Sequence, residues 1–71
     1  MNINGIKKII EQNLGKSVQV VVYGMRNKIE TYNGTLKQVY PNIFSLQTNN
    51  MEKTFQYADV CTGDIKIKYF N

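Results

Sequence analysis

The residues able to do chemistry in this chain are few, and their types say more than their spacing. Histidine is absent, which removes the commonest general acid or base and the commonest metal ligand together. Cys61 stands alone. With no histidine to take its proton it lacks the usual activating base, and it reads as a small, partly buried residue rather than a nucleophile. A lone cysteine also leaves no intramolecular disulfide, so the expected compartment is the cytoplasm. The acidic residues Glu11, Glu30, Glu52, Asp59 and Asp64 form no pair spaced for a shared metal or for two-carboxylate chemistry. Asp59 and Asp64 fall beside expected turns, where carboxylates serve as caps. Gly24, Gly34 and Gly63 lie singly, as turn or bulge residues do, and make no phosphate-cradling loop. The expectation is a protein that binds rather than catalyses, with no cofactor and no metal.

What remains is a basic and aromatic surface. Nine Lys and Arg against five Asp and Glu give a formal charge of +4, which favours anionic partners. That charge also lies inside the range of about 2 to 8 that keeps a small domain soluble. Lys66 and Lys68 alternate with Ile65, Ile67 and Tyr69, so on a strand the two lysines share one outward face. Arg26 and Lys28 flank the first expected hairpin turn, and Lys16 enters the first strand. Beside exposed Tyr23, Tyr32 or Tyr40, these cations would suit phosphate contacts with base stacking. The competing reading is plainer: lysines that solubilise, and tyrosines that bury their rings with the hydroxyl outside.

The elements that must carry this surface follow from periodicity. Seventy-one residues make one domain, since so short a chain buries only about 60% of its unfolded surface. Ile3, Ile6, Ile9 or Ile10, and Leu14 recur at helical spacing, which predicts a helix over about 3–14, capped by Asn2 or Asn4 and stopped at Asn13-Leu14-Gly15. From Ser17 the period becomes two: Val18, Val20 and Val22 share one face. A turn at Gly24–Asn27 leads to a long strand from Lys28 to about Tyr40. There Ile29 and Thr31 point one way and Leu36 the other, which predicts a bulge or bend at Gly34. Tyr40-Pro41-Asn42 makes the next turn, Phe44 and Leu46 mark a third strand, and Lys53–Tyr57 a fourth. Tyr57–Val60 suits one helical turn, and Ile65–Phe70 is the fifth strand. This order predicts a mainly β fold with one N-terminal helix and a small five-stranded SH3-like (Sm-like) barrel over about 17–70. No uninterrupted apolar stretch in the first fifteen residues predicts export or membrane anchoring. Self-association through an exposed strand edge is compatible with this order.

With the strands placed, the chain resembles the Veg family of Gram-positive bacteria. The residues that carry the resemblance are Ile6-Lys7, Asn13-Leu14-Gly15-Lys16, Arg26, Lys28-Ile29-Glu30, Gly34-Thr35-Leu36, Tyr40-Pro41-Asn42-Ile43-Phe44, and Tyr57-Ala58-Asp59-Val60 with Thr62. They run in order over residues 6–69. Asn13, Gly15, Tyr40, Pro41, Phe44, Tyr57 and Asp59 are the most specific in combination. The resemblance implies a helix plus SH3-like barrel and no enzymatic activity. It also implies a role in regulating transcription and biofilm formation through contact with a regulatory protein such as a transcriptional repressor. The family's basic turn looks like Gly24–Lys28 here, with one position of the positive cluster neutral. Its members are expected to carry a polar tail past the last strand, where this sequence ends at Asn71.

Overall fold

The structure, a computed structural model, describes residues 2–25 and 28–70. In chain order it holds α1 (Ile3–Gln12), β1 (Ser17–Met25), β2 (Lys28–Val39), β3 (Ile43–Gln47), β4 (Glu52–Gln56), α2 (Tyr57–Thr62) and β5 (Ile65–Tyr69). No helix is long and apolar enough to cross a membrane among these residues.

Helix α1 is set by its isoleucines, of which Ile6 and Ile10 are buried. Asn2 starts it, its side-chain oxygen accepting from the Gly5 N–H at 2.8 Å, one of the orphan donors of a helix start. The helix stops at Gln12, two residues before the expected Leu14. Asn13 caps it, its amide nitrogen donating to the Ile9 carbonyl at 2.7 Å, and Gly15 then takes a left-handed φ of 87° that only glycine adopts readily. Replacing Asn2 with alanine should cost about 1 kcal/mol and lower the melting temperature by roughly 4–8 °C. Thermal unfolding followed by circular dichroism would measure this, and an unchanged midpoint would deny the cap its role.

All strand pairs are antiparallel, in the order β4-β3-β2-β1-β5. One face of the sheet is covered by the helices. Ile6 and Ile10 meet Val18, Val20, Leu36, Phe44, Leu46, Phe55, Tyr57 and Ile65 there in one cluster. Phe44 links Phe55 and Tyr57, with ring centroids 5.6 Å from each.

Three expectations are corrected. The sheet is not a closed barrel: β4 and β5 are its two edges, and α2, a second helix of six residues, joins them instead of hydrogen bonds. Tyr57 accordingly leaves β4 and opens α2. Second, β2 does not bulge at Gly34, which stays in register with Val18. The irregularity lies at Lys37, between Leu36 and Gln38. Third, Ile29 is not a core residue but 63% exposed. Tyr32, Gly34 and Leu36 share the core-facing parity, and the bulge after Leu36 turns Val39 back to the same side. The expected turn at Gly24–Asn27 includes Arg26 and Asn27, which lie outside the described residues.

Candidate binding surface

The uncovered face of the sheet is built by the other parity of β1, β2 and β5. Residues directly opposite one another in an antiparallel pair share a face. Val21 lies opposite Lys66 and Thr31, and Gln19 opposite Lys68 and Asn33. The two rows are therefore Lys66–Val21–Thr31 and Lys68–Gln19–Asn33, the latter closed by a hydrogen bond from Gln19 Nε2 to Asn33 Oδ1 at 3.2 Å. Val21 is buried between its neighbours. Tyr23, next along β1 and exposed, has the Lys66 ammonium 5.7 Å from its ring centroid, within cation–π range.

Of the five basic residues singled out from the sequence, the structure brings only Lys66 and Lys68 together. Lys16 precedes β1, whereas Lys28 pairs with Met25 at its far end. Eight strand steps of ~3.3 Å separate those ends by roughly 26 Å. Arg26 lies outside the described residues. Among the tyrosines considered, Tyr40 donates to Gln38 Oε1 at 3.2 Å, and Tyr32 is engaged by a residue that sequence reasoning passed over. The Lys53 ammonium sits 4.5 Å from the Tyr32 ring centroid and donates to its hydroxyl at 3.3 Å. Lys53 shares the parity of Phe55, and that shared parity was the available signal of a lysine on the core side of an edge strand. Lys37 is held by Glu52 at 3.4 Å. Both cations are thus already engaged, Lys53 on the core side of the sheet and Lys37 with the opposite edge strand, β4.

The residues that carried the family resemblance do structural work. Asn13-Leu14-Gly15-Lys16 clasps β2 at Leu36: the Gly15 N–H donates to the Leu36 carbonyl at 2.8 Å, and the Leu36 N–H to the Lys16 carbonyl at 3.1 Å. Tyr40-Pro41-Asn42 presents two carbonyls to one side chain and its backbone. The Tyr57 hydroxyl donates to Tyr40 O at 2.8 Å, and the Tyr57 N–H to Asn42 O at 3.2 Å. Tyr57 stacks on Phe44 at an interplanar angle of 23°. Burial pushes the Tyr57 phenol above its ordinary pKa, with the Glu11 charge adding to the rise. The Asp59 carbonyl accepts from the Thr62 hydroxyl at 3.1 Å, and that hydroxyl also lies 3.0 Å from the Asp64 carboxylate. Asp64 is thereby a turn residue, and Asp59 occupies the first turn of α2.

A second surface lies across the edge of the sheet. Ile6, Ile9, Val60, Ile67 and Tyr69 line a cavity of about 170 Å³ between α1, α2 and β5. Ile9 is 44% exposed and Tyr69 38%, and burial raises the Tyr69 phenol above its ordinary pKa. Among the described residues, no three His, Cys, Asp or Glu side chains gather as metal ligands would.

No curated protein matches the chain. A family model does: that of the biofilm formation stimulator VEG matches residues 1–68 of the 71. The match takes in α1, β1 to β4, all of β5 but Tyr69, and the clasp that joins α1 to β2, and the chain belongs to the Veg family.

Proposed function

We propose that this protein is a non-enzymatic, cytoplasmic regulatory module that acts in biofilm formation by contact with a regulatory protein, such as a transcriptional repressor. The observation that carries the reading is membership of the biofilm-stimulator family over residues 1–68. The lack of histidine and of paired carboxylates supports a binding role. So does the use of the family's most specific residues as fold-forming contacts, which leaves the uncovered sheet face and the β5 edge for recognition. The order β4-β3-β2-β1-β5, with a short helix between the two edge strands, fits an SH3-like arrangement left open at one seam. The test is affinity capture with the tagged chain from a biofilm-forming Gram-positive bacterium, paired with deletion of its gene. A specific regulatory protein and a biofilm defect are expected. Capture of none, with normal biofilm, would overturn the reading.

A second reading, a small-barrel nucleic-acid binder, is favoured by Lys66, Lys68 and Tyr23 on one face. Magnitude weighs against it as the main function. Two phosphate contacts give a log–log salt slope of only about −2 for duplex DNA, where strong binders neutralise several times more charge. Titrating labelled single-stranded RNA and duplex DNA against salt should give weak binding with that shallow slope. A slope several times steeper would make nucleic acid the primary partner.

A further inference from the structure

The outer edge of β5 carries a pattern of backbone and side chains that specifies its occupant. Asp64 accepts from the Tyr23 N–H at 2.8 Å, and Phe70 donates to the Ser17 carbonyl at 3.4 Å. Hydrogen-bonded and non-hydrogen-bonded pairs alternate along an antiparallel ladder. Lys66 and Lys68, of the same parity as Asp64 and Phe70, therefore turn their backbone groups inward to β1. The N–H and C=O groups of Ile67 and Tyr69 point outward from the last strand of the sheet. The side chains divide the same way. Ile67 and Tyr69 face the apolar cavity they share with Ile6, Ile9 and Val60, while Lys66 and Lys68 stand exposed on the opposite face. Asp64, the only acid of that parity on β5's approach, accepts from the Thr62 hydroxyl. The opposite edge of the sheet lacks this combination. On β4 the outward backbone groups belong to Glu52, Thr54 and Gln56, whose side chains are exposed and polar.

We infer that β5 is a docking edge for an extended segment of a partner protein in which acidic and apolar residues alternate. The segment adds antiparallel to Ile67 and Tyr69, sends its apolar side chains into the cavity and sets its carboxylates opposite Lys66 and Lys68. Backbone pairing supplies affinity in such strand addition, and the alternate side chains supply specificity. A second copy of this chain is a poorer occupant. Self-pairing centred on Ile67 sets Lys66 of one copy opposite Lys68 of the other, and like charges directly opposite are destabilising. This inference rests on the protein-partner reading above.

The test uses the full chain and a short labelled peptide alternating glutamate with valine, against a control with lysine in place of glutamate. The acidic peptide should bind, with amide chemical-shift changes concentrated on Ile65–Tyr69. Lys66→Glu/Lys68→Glu should weaken the acidic peptide roughly tenfold and reverse the preference toward the lysine peptide, as two cross-strand charge pairs change sign. Ile67→Pro removes an N–H that β1 does not use, a substitution an edge strand tolerates, and should abolish binding while leaving the circular dichroism spectrum folded. Shifts centred on Gln19 and Asn33, a preference that survives charge reversal, or no binding would each overturn the inference. So would a dimer by light scattering whose β5 amides are protected. Nucleic-acid binding, by contrast, would survive Ile67→Pro. If wild-type chain and the charge-reversed variant restore biofilm equally in a deletion strain, the docking edge falls and the protein-partner reading stands. Failure of the wild-type chain to capture any partner removes that reading itself.

Discussion

Tyr57→Ala should cost the fold about 4–6 kcal/mol, whereas Tyr57→Phe should only weaken it. The side chain is fully buried, stacked on Phe44 with centroids 5.6 Å apart, and its hydroxyl reaches the Tyr40 carbonyl at 2.8 Å. Truncating a large buried aromatic costs about 3–5 kcal/mol, and the lost hydrogen bond adds about 1 kcal/mol. A chain of this length has a total stability of roughly 4–11 kcal/mol, at about 0.05–0.15 kcal/mol per residue, so alanine removes at least about a third of it and, at the lower end, all of it. Phenylalanine keeps the ring and should cost about 1–2 kcal/mol, including the carbonyl left unpaired. Urea unfolding of the three proteins gives both differences, and near-equal midpoints would show the pocket collapsing onto the gap. The same residue sets an alkaline limit. Its phenol, like that of Tyr69, is raised by burial above the ordinary value, so the folded state holds these protons longer than the unfolded chain. Stability is then fully present below about pH 10, tyrosine's ordinary pKa, and falls as pH rises beyond it. Tyr57→Phe should flatten part of that fall.

The second large effect is expected at Gly34. A β-carbon there would meet the Gln47 carbonyl oxygen and would stand 3.1 Å from Leu46 Cγ. The first obstacle is backbone, so β2 and β3 must separate where Leu36 pairs with Leu46. Overpacking a tight site costs about 1–3 kcal/mol and more where backbone must move, so Gly34→Ala should lose at least about 3 kcal/mol. Gly15→Ala is the matched control. Nothing lies within 4 Å of its β-carbon, and the cost is the left-handed backbone alone, about 1–2 kcal/mol. Denaturant midpoints for the pair test this, and equal losses would mean that conformation rather than close approach keeps Gly34 a glycine.

Much of this fold is legible in the sequence because one-sided burial imposes a period. The isoleucines of α1 and the alternating Val18, Val20 and Val22 announce their faces, and Asn13-Leu14-Gly15 announces the helix stop. β2 was harder. Ile29 is apolar yet lies toward the exposed end of a long hairpin, where hydrophobicity is no guide to burial, and trusting it reverses the parity of the strand. Tyr32 and Leu36 held the correct phase, but tyrosine is ambiguous between core and surface. Closure misled for a related reason: five short strands suit a barrel, and whether the last pair joins depends on α2, six residues with no strong pattern of their own. Lys66 and Lys68 were legible as a pair because i and i+2 share a strand face. That Lys16 and Lys28 fall at opposite ends of β1 depends on register, which no local spacing encodes. The use of the family-specific residues as clasp and core was equally hidden, since Gly15 and Leu36, or Tyr40 and Tyr57, meet only in three dimensions.

The place of β5 beside β1 also orders events during synthesis. Val18 pairs with Tyr69, so β1 must wait for a strand made much later in the chain. While the chain is still emerging from the ribosome, β1 can pair with β2, and β3 and β4 can follow, but its other flank stays open and the core lacks Ile65. Completion is a long-range contact, the slow kind to form. Until β5 emerges, the nascent protein exposes a valine-rich edge of the sort that chaperones cover.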